Sequence, residues 1–145
     1  MKSKKVFIIA EAGVNHNGHL KTALKLIDEA AKAKVDAIKF QTFTANNLVT
    51  KRAIMAKYQK KFTNFKSQYE MLKKLEFTKK MHEKCFKRCK TLKIKFLSSP
   101  FSIEDIIYLK KFKMKYFKIP SGEITNLPYL KFISKQKKKL ILSTG

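Results

Sequence analysis

An uninterrupted apolar run, VFIIA at 6–10, follows a basic start, and such runs belong to strands buried on both faces of a parallel sheet. After a turn-rich segment, 13–18, the pattern changes period: Leu20, Ala23, Leu24, Ile27, Ala30 and Ala31 share one stripe of a helix over 19–33. A second strand is predicted over 35–40. The polar stretch that follows it, through Lys66, is too long for an ordinary connection and is expected to act as a lid or substrate-shaping loop. Helical pieces over 67–75 and 78–91, the second capped by Thr78, lead to a third strand over 94–98. Ser102 caps a helix reaching Phe112, because Glu104 and Asp105 occupy its first turn, where the helix dipole favours negative charge. A fourth strand over 116–119, an amphipathic helix from Asn126 to near Gln136, and a fifth strand at 140–142 complete the pattern.

Five strands alternating with four helical segments, one of them in two pieces, predict an α/β fold with a parallel sheet and right-handed crossovers. Two architectures satisfy this: an open doubly wound sheet, or part of a TIM (β/α)8 barrel. At 145 residues the chain can bury one core as one domain without metal or disulfide support. No apolar run approaches the ~20 residues of a membrane span. Glu11 interrupts the first run too early for an export signal, and Cys85 and Cys89 are the only cysteines, so a cytoplasmic location is expected.

The formal net charge of +24 raises nucleic acid or an anionic surface as a partner. The kind of charge argues against a dedicated site: only Arg52 and Arg88 are arginines among 34 basic residues, whereas base and phosphate recognition leans on bidentate arginine. The lysines are also dispersed along helical faces, which reads as a solvated surface with salt-sensitive sticking to polyanions. No specific nucleic acid and no membrane partner is expected.

Ligands of parallel α/β folds meet the carboxyl ends of the strands, and every predicted strand delivers polar residues there. Strand one leads into Glu11 and the turn NHNG at 15–18; strand two carries Lys39 and Gln41; strand three ends in Ser98 and Ser99; strand four carries Lys118 and leads to Ser121 and Glu123; strand five ends in Ser143 and Thr144. A lysine inside an apolar strand is costly unless an anion or water meets it, so Lys39 and Lys118 point to a small anionic ligand. Ammonium groups and serine hydroxyls suit a phosphate or carboxylate, while Glu11 and Glu123 could move protons or grip sugar hydroxyls. A Schiff-base aldolase using Lys39 or Lys118 fits the same pattern, and a basic binding module for nucleic acid or anionic surfaces is the non-enzymatic alternative.

Other features read as structure. His82, Cys85 and Cys89 share a helix face, but their spacing matches no standard zinc pattern, and helical cysteines usually behave as small buried hydrophobes. Phe62, Phe65, Tyr69 and Phe77 are expected to pack a core or anchor a loop. His16 belongs to the architecture of the first turn, with direct ligand contact open.

Several of these segments together resemble the sialic acid synthases, a family that includes N-acetylneuraminate and N,N'-diacetyllegionaminate synthases. The matching text is IAEAGVNHNG at 9–18, DAIKFQTF at 36–43, YQ at 58–59, SQYEMLKKL at 67–75, SSPF at 98–101, FKIPSGE at 117–123, NLPYL at 126–130 and LSTG at 142–145. These run in the family's order across nearly the whole chain. The resemblance implies a TIM barrel and a transferase that condenses phosphoenolpyruvate with the open-chain aldehyde of an N-acetylmannosamine-type sugar, releasing phosphate. It implies that Lys39, Ser99, Lys118, Ser121 and Ser143 hold phosphoenolpyruvate. Gln41 and Glu123 would contact the amino sugar, with Glu11 positioning it or a catalytic water.

The resemblance also implies a divalent metal, Mn or Mg, held by two histidines of later barrel strands, and a carboxy-terminal antifreeze-like domain that reaches into the partner of a homodimer. Neither the histidines nor that domain is in this sequence. Residues 1–145 are therefore expected to be the amino-terminal part of the barrel, about its first five strands, and to be inactive alone. Lys34 departs from the family, which usually has a glycine ending the first helix. The family's polar contact from the long second loop is not assigned, because Thr63 and Asn64 align ambiguously.

Overall fold

Backbone pairing ignores the polarity of side chains, so the first three strands run on past the apolar runs that signal them. In the computed structural model, which describes residues 6–53, 65 and 67–145, β1 spans Ile9–Gly13, β2 Ala37–Thr42 and β3 Lys95–Pro100. β4 spans Tyr116–Ile119 and β5 Lys139–Leu142. The expected ranges 6–10, 35–40 and 94–98 thus move toward the carboxyl end. Val6, Phe7 and Ile8 remain exposed ahead of the sheet, and pairing begins where Ile9 meets Ala37. It then continues through Glu11 with Lys39, Gln41 with Ser99, and Thr42 with Pro100.

All pairings are parallel. β1, β2 and β3 form one sheet in sequence order, β4 and β5 form a second pair, and β3 lies beside β4. The helices are α1 at Leu20–Lys32, α2 at Ala45–Leu48, α3 at Gln68–Leu75, α4 at Lys79–Thr91, α5 at Ile103–Leu109 and α6 at Leu127–Ser134. The single turn α2 was not foreseen within the polar stretch. Thr78, Ser102 and Asn126 each accept a backbone N–H from the third residue beyond, as N-caps do. The helix expected to reach Phe112 stops at Leu109 and tightens into a 3-10 turn, Lys110–Phe112, which Lys113 ends in the left-handed region. Tyr58, Gln59, Phe62, Thr63 and Asn64, and with them most of the expected lid, lie outside the described residues.

Alternate strand positions face the helices. Ala12, Ile38, Phe40, Phe96, Phe117 and Ile119 pack against Ala23, Ile27 and Ala30 of α1, Met81, Cys85 and Cys89 of α4, Ile106 and Leu109 of α5, and Tyr129 and Ile133 of α6. Phe77 stacks on Phe40 with ring centroids 4.7 Å apart, so it serves the core. Burial pushes the Cys85 and Cys89 thiols up to about 12. They are inert packing groups, and among the described residues no three His, Cys, Asp or Glu side chains gather as metal ligands would. The positions of opposite parity, including Glu11, Lys39, Gln41, Ser99 and Lys118, are left to the other face of the strands.

Lysine occupies the left-handed conformation just ahead of each of β2 to β5: Lys34, Lys93, Lys113 and Lys137 have φ of 56°, 58°, 50° and 51°. Glycine is the usual residue at such helix ends. Gly18, by contrast, is required: its φ is +75°, and a Cβ there would lie 2.3 Å from the Lys74 carbonyl oxygen.

Candidate functional site

The ladder that pairs β1 with β2 sets Glu11 opposite Lys39, and their side chains form an ion pair. Lys39 is almost wholly buried, whereas Glu11 is half-exposed, so the carboxylate supplies the countercharge that a buried ammonium needs and stays reachable from solvent. Next to them, Gly13 has a use beyond its turn. A Cβ there would stand 3.1 Å from Glu11 Oε1 and 3.7 Å from Gln41 Nε2, so the missing side chain leaves room for a carboxylate and an amide to converge.

The β4–β5 pair contributes a second cation. Lys118 Nζ donates to Ser143 Oγ at 2.6 Å and to the Ile119 carbonyl at 3.4 Å. Burial pulls the Lys118 ammonium below its ordinary value, the charge of Lys39 adds to the fall, and Glu11 opposes it. These influences place Lys39, Lys118 and Glu11 in one electrostatic neighbourhood. Two buried or half-buried ammonium groups that repel each other, with one carboxylate paired to Lys39, form a site short of negative charge. A small dianion with a phosphate or carboxylate group would complete it.

Ser99 is 2% exposed and lies opposite Gln41 in the ladder. Ser121 is exposed in the 3-10 turn Ser121–Glu123 beyond β4. Glu123 accepts from Asn126 Nδ2 at 2.7 Å, in the turn that starts α6. Among the described residues no hydrogen bond or ion pair joins Ser121 or Glu123 to Lys39 or Lys118. The geometry therefore gathers Glu11, Lys39 and Gln41 in one set and Lys118 and Ser143 in a second, and bonds Ser121 and Glu123 to neither.

His16 belongs to the architecture of the first turn, as its sequence position suggests. Its side chain is fully buried, 5.0 Å from the Phe77 ring, and its Nδ1 accepts the Gly18 N–H at 3.0 Å. It braces the turn from inside. Sequence reasoning also passed over Thr42 and gave His82 only a metal reading, although the two are joined by a hydrogen bond. Their signal was parity: Thr42 and Ser98 fall on the strand face that is otherwise apolar. A separate cavity of about 600 Å³, floored by Phe86, Phe96, Phe112 and Met114, opens at the amino ends of β3 and β4, and none of the predicted site residues lines it.

With this geometry in view, the comparison with known families is decisive. The model of the NeuB family matches residues 26–145. The chain belongs to the NeuB family. It is 53% identical over 143 residues to the N,N'-diacetyllegionaminic acid synthase of Campylobacter jejuni, a match that takes in 98% of this chain and 43% of that protein. It is 48% identical over 140 residues to the enzyme of the same name from Legionella pneumophila, taking in 96% of this chain and 39% of that one. The chain thus spans less than half the length of these relatives. Among solved structures, the N-acetylneuraminic acid (sialic acid) synthetase of Leptospira borgpetersenii, crystallised in complex with citrate, superposes with a TM-score of 0.81 at 35% identity. That match takes in 98% of this chain and 45% of the other.

Proposed function

We propose that residues 1–145 are the amino-terminal part of a TIM barrel and carry the phosphoenolpyruvate-binding portion of a nonulosonic acid synthase. Parallel strands following one another in sequence order, together with the likeness to the sialic acid synthetase structure, support the barrel. The observation that carries the functional reading is the convergence of Lys39, Lys118, Ser143 and Glu11 on one face of successive strands. In this reading Lys39 and Lys118, with Ser143, Ser99 and Ser121, hold the carboxylate and phosphate of phosphoenolpyruvate. Gln41, Glu123 and Glu11 meet the amino sugar.

The reaction asks for charge stabilisation at two points. The methylene carbon of the enol phosphate attacks the sugar aldehyde, whose oxygen takes up a proton as the new carbon–carbon bond forms. Water then adds to the resulting cationic carbon, giving up one proton, and the new hydroxyl gives up its second proton and becomes the keto oxygen as phosphate leaves with its bridging oxygen. Fixed ammonium groups beside the phosphate stabilise its departure, and Glu11, half-exposed beside Lys39, can orient the water or take its proton. The described residues bring no metal-ligand set together, so they do not by themselves fit a divalent-metal centre.

We expect these residues to bind phosphoenolpyruvate without turning it over. Phosphoenolpyruvate should raise the melting temperature of the purified chain, inorganic phosphate should do so less, and no phosphate should be released with N-acetylated amino sugars present. An unmoved melting temperature counts against the reading. A Schiff-base lysine is the second reading, favoured by the lowered value of Lys118, and borohydride trapping of a keto acid on that residue would select it.

A further inference from the structure

Three polar side chains are buried in the apolar layer between β2, β3 and α4: Thr42, Ser98 and His82 are 5%, 1% and 1% exposed. The neighbouring strand residues on that face, Phe40 and Phe96, are aromatic. A hydroxyl or imidazole in such a place is costly unless its hydrogen bonds are made. Here they are made in one direction only. His82 Nδ1 lies 3.0 Å from the Thr78 carbonyl oxygen, which can only accept, so Nδ1 carries the proton and Nε2 of the neutral ring accepts. The Thr42 hydroxyl donates to Nε2 at 2.8 Å, and the Ser98 hydroxyl donates to Thr42 Oγ1 at 2.6 Å. The imidazole is held from the sides by Phe77, 4.5 Å away, and Tyr108, 5.1 Å away.

The place of this chain in the ladder gives it meaning. Phe40 pairs with Ser98, Gln41 with Ser99 and Thr42 with Pro100, so the hydroxyl link bridges the last rungs of β2 and β3 diagonally. Successive strand residues point to opposite faces, so it lies directly behind Gln41 and Ser99. The same strand ends are tied by the Phe101 N–H, which is shared between the Thr42 carbonyl at 3.2 Å and Asp105 Oδ2 at 3.3 Å, and by the Tyr129 hydroxyl, which donates to the Pro100 carbonyl at 2.9 Å. A slip of either strand breaks the hydroxyl chain.

We propose that His82, acting through Thr42 and Ser98, is a positioning residue that fixes the carboxyl ends of β2 and β3 and so sets the spacing of Gln41 and Ser99. The assignment of those two residues to substrate rests on the reading given above. A role in stability alone would be met equally by an apolar trio, because replacing both partners of a buried hydrogen bond by apolar groups is close to neutral.

The test compares the wild-type chain with a triple variant, Thr42→Val, Ser98→Ala and His82→Phe, and with Thr42→Ser, which keeps the hydroxyl link. Hydrogen exchange is read at the Phe101 amide and, as a control remote from the link, at the Ile27 amide; phosphoenolpyruvate affinity is read by calorimetry. The triple variant should melt close to wild type, exchange roughly tenfold faster at Phe101 with Ile27 unchanged, and bind roughly tenfold more weakly, as loss of about one directed hydrogen bond implies. Thr42→Ser should match wild type in both. Wild-type exchange at Phe101 in the triple variant overturns the proposal. Should the triple variant not fold, Ser98→Ala alone is read at the same amide, and unchanged exchange there overturns it equally. If wild-type chain ignores phosphoenolpyruvate while Phe101 responds as stated, the substrate reading fails and the positioning inference stands.

Discussion

Lys118 is the residue whose chemistry is most informative. An ammonium lowered by burial and by a like charge is worse off folded than unfolded, and the penalty is present in full below its folded value. It fades as pH rises through that value toward the ordinary lysine range. Lys118→Met should therefore hold or raise the melting temperature at neutral pH while phosphoenolpyruvate binding is lost, the trade expected of a functional side chain. Anion binding restores the proton that burial disfavours. Affinity should thus fall as pH rises through a value below that of an ordinary lysine, with proton uptake measurable by calorimetry in buffers of different ionisation enthalpy. At the opposite extreme stands Lys34, a left-handed residue just beyond the end of α1. Lys34→Gly should stabilise by about 0.5–1 kcal/mol in thermal melts, the left-handed strain relieved less the backbone entropy of glycine. Gly18→Ala should destabilise by roughly 1–3 kcal/mol, since backbone strain and a clash with the Lys74 carbonyl act together.

Among the elements, α4 depends on a single hydroxyl at its start. The Thr78 side chain accepts the Met81 N–H at 3.2 Å, so Thr78→Ala should cost about 1 kcal/mol in denaturant unfolding. The capped helix also carries Cys85, Cys89 and His82 into the core. Elements of this kind were legible: an apolar stripe gave α1, and Thr78, Ser102 and Asn126 announced their helices. Strand ends were not, because polar residues such as Gln41, Thr42 and Ser99 continue a ladder that hydropathy says has finished. The same blind spot hid the buried link from Ser98 to His82, which needs the pairing register before two hydroxyls and a ring can be seen to meet. Lys39 and Lys118 stood out as charges in apolar runs. That Lys39 is matched by Glu11, and Lys118 by Ser143, came only from the pairing of strands far apart in sequence.

At the scale of the whole molecule, the large positive charge and the strand-end site make opposite demands on an experiment. Dispersed surface lysines attract any polyanion, and that attraction weakens steeply with salt. A site built on buried Lys39 and half-buried Lys118 is screened less. The central claim is that these two lysines, brought together by separate strand pairs, hold the anionic ends of phosphoenolpyruvate. Its most direct measurement is calorimetric titration of the 145-residue chain with phosphoenolpyruvate at two salt concentrations, against the Lys39→Ala, Lys118→Ala double variant. The account predicts saturable one-site binding that persists in the higher salt and is absent from the variant. A wild-type chain that melts cooperatively yet gives no binding heat, or a variant that binds as well as wild type, contradicts it.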